Sequence, residues 1–187
     1  MGLLSLFIED IFNLLEKKVK SYILEEITNC KILNEFDLQC RFVSYLRENV
    51  EKFRDDRWSI FNTFYLKAAK KIPDVLIFLN YKPVIFIEIK YYGFNNPNRD
   101  KILRDLDKLH EYFNIYSLTI KRGYSFNIFT YSKEKFDEFN KTLNNKIQLK
   151  DIKVLNINLR EVDNYHQIKT KVLKRITRLT SNLKERK

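Results

Sequence analysis

Two acids and a lysine intrude into a stretch that is otherwise almost wholly apolar. Lys71-Ile72-Pro73-Asp74 leads into Val75-Leu76-Ile77-Phe78-Leu79, and Val84-Ile85-Phe86-Ile87 leads into Glu88-Ile89-Lys90. Side chains two apart on a strand leave the same face, so Glu88 and Lys90 project together. Asn80-Tyr81-Lys82 before Pro83 reads as a short turn, which makes the two runs a hairpin. With the turn centred on Tyr81, Asp74 and Glu88 lie seven residues to either side of it. They then face each other with β carbons on the order of 5 Å apart. Carboxylates so close repel, and burial adds a desolvation cost. A divalent cation relieves both, and oxygen ligands at about 2.1 Å suit Mg²⁺. An ammonium alongside, not itself a ligand, stabilises charge on a phosphate or positions and activates an attacking water. The plainer alternative is a half-exposed Glu88–Lys90 salt bridge beside a turn, and charged residues are 32% of the chain. What favours a site is the company: Pro-Asp at a strand start, matched hairpin spacing, and charge inside an apolar strand.

Pro73-Asp74, thirteen intervening residues, then Glu88-Ile89-Lys90 resembles the signature of the PD-(D/E)XK nuclease superfamily, which includes restriction endonucleases and archaeal Holliday junction resolvases. The resemblance implies that Asp74 and Glu88 bind Mg²⁺, with Mn²⁺ able to substitute. It also implies that the Ile89 carbonyl ligates the metal and that Lys90 is catalytic. It implies a restriction endonuclease-like αβββαβ core, which fits residues 34–131. Members often carry a further acid on the helix before the first strand. Glu35 and Asp37 are the candidates here. Stepping 100° per residue, Phe36, Leu38, Cys40, Phe42, Val43, Tyr45 and Leu46 make one apolar arc. Glu35 lies near its middle with Gln39 beside it, whereas Asp37 falls on the polar side. An acid aimed at a core needs a partner, and the metal is the obvious one, so Glu35 is the expected fourth catalytic residue and a further metal ligand.

The elements that must hold these residues follow from periodicity. Leu4, Ile8, Ile11, Leu15, Val19 and Tyr22 recur at helical spacing over residues 3–28. A second helix is expected from Asn34, a good N-cap, to about residue 49. Strands are expected over 58–66, 74–79 and 84–91, the last two apolar enough to be covered on both faces. Asn96-Pro97 reads as N-cap and first turn of a helix with Ile102, Leu106, Leu109 and Phe113 inward. A strand over 124–131, a helix over 133–143, a strand over 152–159 and a basic amphipathic helix over 165–183 complete the order ααβββαβαβα. The class is α/β, with a mixed sheet flanked by helices, and the length suits one domain.

The whole chain fits this reading. It has 187 residues, a net charge of +11 and a pI near 9.5, and so favours a polyanionic partner, expected to be DNA. Lys67, Lys70 and Lys71 precede the site, and Lys101, Arg104 and Lys108 share a helix face; these six are the expected phosphate contacts. On the last helix Ile168, Val172, Ile176, Leu179 and Leu183 are expected inward, with Lys169, Lys171, Lys174, Arg175 and Arg178 projecting elsewhere. The apolar stripes of the first and last helices keep a homodimer open. Tyr91, Tyr92 and Tyr131 suit either base stacking or ordinary packing. His110 and His166 lack metal-ligand spacing, and Cys30 and Cys40 read as buried reduced thiols. No run is apolar enough to span a bilayer, so a cytoplasmic protein with no membrane partner is expected. A structure-selective or junction-resolving endonuclease is the first expectation; a restriction-type endonuclease, an exonuclease and a non-catalytic DNA-binding module are the alternatives.

Overall fold

The computed structural model describes residues 3–50, 58–62, 72–147 and 151–184. Lys67, Lys70 and Lys71, and the second half of the expected first strand, lie outside them. Five strands form one mixed sheet in sequence order: β1 (Trp58–Asn62), β2 (Val75–Leu79), β3 (Lys82–Tyr91), β4 (Arg122–Phe129) and β5 (Ile152–Asn158). β1, β2 and β3 pair antiparallel, while β3, β4 and β5 run parallel. The helices are α1 (Leu3–Asn13), α2 (Val19–Thr28), α3 (Glu35–Val50), α4 (Arg99–Ile115), α5 (Lys133–Lys146) and α6 (Tyr165–Lys184). α4 and α5 supply the crossovers that parallel pairing demands.

Apolar side chains cover both faces of the sheet, which is why β2 and β3 read as unbroken apolar runs. On one face Val75, Ile77, Ile85, Ile87 and Phe126 pack with Val19, Ile23, Leu38, Phe42 and Leu46 from α2 and α3. On the other, Leu76, Phe86 and Phe129 pack with Ile102, Leu106 and Leu109 of α4 and Phe139 and Leu143 of α5. A five-residue π segment, Leu14–Lys18, joins α1 to α2, closed by the Val19 N–H on the Leu14 carbonyl. Its wider turn rephases the apolar stripe, so that Leu15, Val19, Ile23 and Ile27 continue inward at a spacing of four.

Four local expectations need correction. The hairpin turns on two residues, Asn80 and Tyr81, both at positive φ (50° and 61°), with Leu79 paired to Lys82. Paired positive-φ residues give the twist a two-residue hairpin needs. The shorter turn is offset by a bulge beside Ile77 and Phe78, beyond which Val75 still faces Ile87, so the expected register holds where it matters. α4 starts at Arg99, because the Asn98 side chain accepts the Lys101 N–H at 3.1 Å and caps it; Asn96 and Pro97 stand before the cap. Phe36, placed in the apolar arc of α3, is 69% exposed: it lies one residue into the helix, beyond the sheet that the later turns cover. Cys40 is half-buried, whereas Cys30 is buried; both are free thiols.

Candidate active site

β3 outruns β2. Their pairing ends at Val75 and Ile87, yet β3 continues to Tyr91. Main-chain groups beyond that point still need partners, and side chains supply them. Asp74 Oδ2 accepts the Ile89 N–H at 2.6 Å. Glu35 Oε2 accepts the Tyr91 N–H at 3.3 Å. The Ile89 carbonyl accepts from Lys90 Nζ at 2.9 Å. Three of the expected site residues thus continue the ladder where the strand stops, at the carboxyl end of β3.

Each remaining contact draws in another element. Gln39 of α3 donates to Asp74 Oδ1 at 3.0 Å. Lys90 Nζ lies 3.4 Å from Glu35 Oε1, 3.5 Å from Asp105 Oδ2 and 3.8 Å from Asp74 Oδ2. Glu88 is 1% exposed and points to α4. There Tyr112 OH donates to its Oε1 at 3.2 Å, and Lys108 Nζ to its Oε2 at 3.2 Å. Lys108 also reaches Asp105 Oδ1 at 3.0 Å. The result is an alternating chain of charge, Glu88–Lys108–Asp105–Lys90, closed by Asp74 and Glu35. Three of the acids, Glu35, Asp74 and Asp105, converge on the Lys90 ammonium, and the Lys108 ammonium stands between Glu88 and Asp105.

The electrostatics follow from burial. Desolvation, with Asp74's charge nearby, pushes the Glu88 carboxyl up to about 8 against Lys108's opposing pull. Desolvation raises the Asp74 carboxyl too, although Lys90 and the Ile89 N–H counter it. Burial alone would lower Lys90, but Asp74, Asp105, Glu35 and Glu88 together hold it above the ordinary lysine value. Lys108 is raised likewise, by Glu88 and Asp105 against burial. Four carboxylates face two ammoniums, an excess of two negative charges when all are ionised. Asp105 Oδ2, on a side chain 5% exposed, has the Lys90 ammonium at 3.5 Å and no closer partner. A divalent cation fits both features, and the off-ladder Ile89 carbonyl is a further neutral oxygen in the same place.

The structure therefore brings Glu35, Asp74, Glu88, Ile89 and Lys90 together. Asp37 is turned away, its carboxylate taking the Leu33 N–H at 3.0 Å. Lys101 and Arg104 are exposed, as a phosphate contact requires, whereas Lys108 is committed to Glu88 and Asp105. Tyr91 and Tyr92 are held by hydroxyl bonds to the carbonyls of Ile32 (3.5 Å) and Asn98 (3.2 Å), and Tyr131 packs on Phe129 and Phe139. Gln39, Asp105, Tyr112 and the second role of Lys108 escaped the sequence reading. So did Ser125 and Asn127, each 1% exposed and in register with Glu88 and Lys90 on the neighbouring strand. From Asn127 an amide row runs on to Asn156 and Asn140, with bonds of 3.0 and 2.8 Å.

No family model matches the sequence, and neither a curated protein nor a solved structure matches it.

Proposed function

We propose that this chain is a Mg²⁺-dependent DNA nuclease of the PD-(D/E)XK type, hydrolysing phosphodiester bonds. Within that class we favour a structure-selective, Holliday-junction-type endonuclease, since the chain is strongly basic, with a net charge of +11, and phosphate contacts hold DNA without reading its sequence. The observation that carries the proposal is the buried charge cluster at the end of β3. It holds three largely buried acids, Asp74, Glu88 and Asp105, with Glu35 at its exposed rim, against two lysines, and Asp105 Oδ2 meets the Lys90 ammonium no closer than 3.5 Å. Buried charge left unbalanced in this way concentrates at functional sites. The element order α3-β1-β2-β3-α4-β4 supports a restriction endonuclease-like core.

Asp74, Glu88 and the Ile89 carbonyl would hold Mg²⁺, with Glu35 on its flank. The ion supplies Lewis-acid polarisation of the scissile phosphate and a lowered pKa for water. The chain's own part is positioning. Lys90 stays cationic among its acids and offers an ammonium to charge that develops on the phosphate. Asp105 and Lys108 fix Lys90 and Glu88 from the α4 side. The exposed Lys101 and Arg104 add phosphate affinity without reading sequence.

The test is to incubate wild type and Asp74→Ala with plasmid, linear duplex and four-way-junction DNA, each with Mg²⁺, Mn²⁺ or EDTA. Cleavage by wild type alone, abolished by EDTA and strongest on the junction, is the expected result. Preference for plasmid or for duplex ends would shift the assignment to a restriction-type endonuclease or an exonuclease. Binding without cleavage in either metal would overturn catalysis and leave a DNA-binding module.

A further inference from the structure

The last helix is built unlike the others. α6 carries six Lys and Arg residues and no acid. Only its first half is packed: Val172 is buried, and Tyr165 and Ile168 rest half-buried on the core that includes Ile27 and Leu159. From Leu173 to Asn182 every side chain except Ile176 is exposed. Leu179, expected inward, is 47% exposed, because the helix has run past the end of α2.

Lys171, Lys174, Arg175 and Arg178 fall at i, i+3, i+4 and i+7, within about 100° of helix circumference. They line a groove of about 420 Å³ against Asn29 and Cys30, where α2 ends. Lys171 anchors the helix there through the Thr28 carbonyl at 3.3 Å. Lys174, Arg175 and Arg178 have no carboxylate within ion-pair reach among the described residues. A row of like charges on one face repels itself and is kept only at a cost, which a polyanion removes. At a rise of 1.5 Å per residue the row spans about 10 Å, roughly three base-pair steps of 3.4 Å along a duplex. An anionic membrane needs an apolar face beside the charge. Ile168 and Val172 are turned to the core instead, and the exposed Leu173 and Leu179 point about 120° apart.

Asn29 and Cys30, the latter at a φ of 56°, form one wall of the groove, and Leu179 lines it beside the cations. We propose that α6 is a phosphate-tracking arm, holding the backbone of double-stranded DNA along Lys174, Arg175 and Arg178, independent of sequence. This rests on the DNA part of the proposed function and not on cleavage.

The test compares the full chain with Lys174→Glu/Arg178→Glu and with the milder Lys174→Gln/Arg178→Gln. Both positions are exposed, and circular dichroism checks the fold. Binding of a fluorescent DNA duplex is followed by anisotropy in EDTA at several salt concentrations. In the Gln variant the slope of log K against log salt should flatten by about 2, since each phosphate contact contributes about 0.9. The Glu variant should bind more than tenfold more weakly at low salt. An unchanged slope and affinity in both variants would overturn the arm, whatever the wild type does to DNA. Wild type that binds phosphatidylserine vesicles and no duplex would overturn it as well. Tight, α6-dependent binding in EDTA by a chain that cleaves no DNA in Mg²⁺ or Mn²⁺ would sink the nuclease reading and leave the arm standing.

Discussion

The end of β3 and the distal half of α6 both concentrate charge, and they do so under opposite rules. At the end of β3 acids and lysines alternate at 3.0 to 3.8 Å, in a setting where Glu88 and Asp105 are buried. Along α6 the cations stand in water without acids among them. Low dielectric makes each buried charge depend on the position and protonation of its neighbours, so isosteric substitutions there are costly. In water the same charges are screened within about 10 Å at moderate salt, so the row on α6 acts through its sum. One region sets geometry and the other affinity.

The sharpest way to break this contrast is to neutralise a carboxylate without changing its shape. Asp74→Asn and Glu88→Gln each keep volume and replace one carboxyl oxygen of the buried set with an amide nitrogen that cannot ligate a metal. Each should lower the cleavage rate by at least about 100-fold, since disturbing even residues that only support metal ligands costs 10- to 100-fold. Affinity for duplex DNA in EDTA should stay within about twofold of wild type, because the phosphate contacts that set it lie elsewhere. Single-turnover rates and anisotropy measure the two separately. If binding falls as far as the rate, the separation of roles is wrong.

Asp105→Asn comes next. It leaves Lys90 and Lys108 with one bridging acid fewer, without touching the Asp74 and Glu88 pair that carries the motif. The expected loss is about 10- to 100-fold in rate, with KM unchanged and with Asp105→Glu recovering part of it. A loss confined to KM would assign Asp105 to substrate binding instead.

Much of this was legible in the sequence, and the gaps have physical reasons. The continuous apolar runs and the Asp74–Glu88 spacing gave the hairpin and its facing pair, because period-two geometry leaves little freedom. The two-residue turn with its bulge was not legible: Asn80 and Tyr81 at positive φ satisfy the turn, and the bulge absorbs the extra residue. Glu35 was found as an acid on an apolar arc. Asp105 sits in the same way between Ile102, Leu106 and Leu109 on α4, so the same test would have found it. Ser125 and Asn127 carry the signal that exposed Glu88 and Lys90, polar residues at period two inside an apolar strand. What no spacing could show is that Lys108 turns inward while Lys101 and Arg104 of the same row stay in water. That depends on position along α4, since Lys108 stands level with Glu88 and bonds to it while Lys101 and Arg104 lie nearer the start of the helix.

The contrast also predicts opposite pH behaviour for metal-free protein. Glu88's folded value of about 8 lies above its ordinary 4.5, so the folded chain keeps a proton that the unfolded chain releases. Stability is then greatest below pH 4.5 as far as this group is concerned. It falls by up to about 1.4 kcal/mol per pH unit until pH 8. Lys90 and Lys108, raised above the ordinary lysine value, stay charged in both states across that window and add no slope. Urea unfolding in EDTA at pH 5, 6.5 and 8 should show Glu88→Gln losing less stability with pH than wild type, so that a variant with impaired cleavage is the more stable protein at pH 8. The slope that remains belongs to Asp74, raised in the same direction. Identical slopes would mean that Glu88 is ionised throughout.

The smallest effect is expected on the exposed face of α4, where the affinity rule is tested close to the buried cluster. Lys101 is exposed one turn before Asp105, and Arg104 is exposed next to Asp105 and one turn before Lys108. Lys101→Gln and Arg104→Gln should each reduce the salt slope of duplex binding by about 1 and weaken affinity only a few-fold near physiological salt. Neither should alter the single-turnover rate at saturating DNA. A change in that rate from either exposed residue would show that α4 transmits substrate contact to Asp105 and Lys108, and would join the two regions into one device. Without such a change, α4 carries two independent functions along one face, separated by how each position on it meets water.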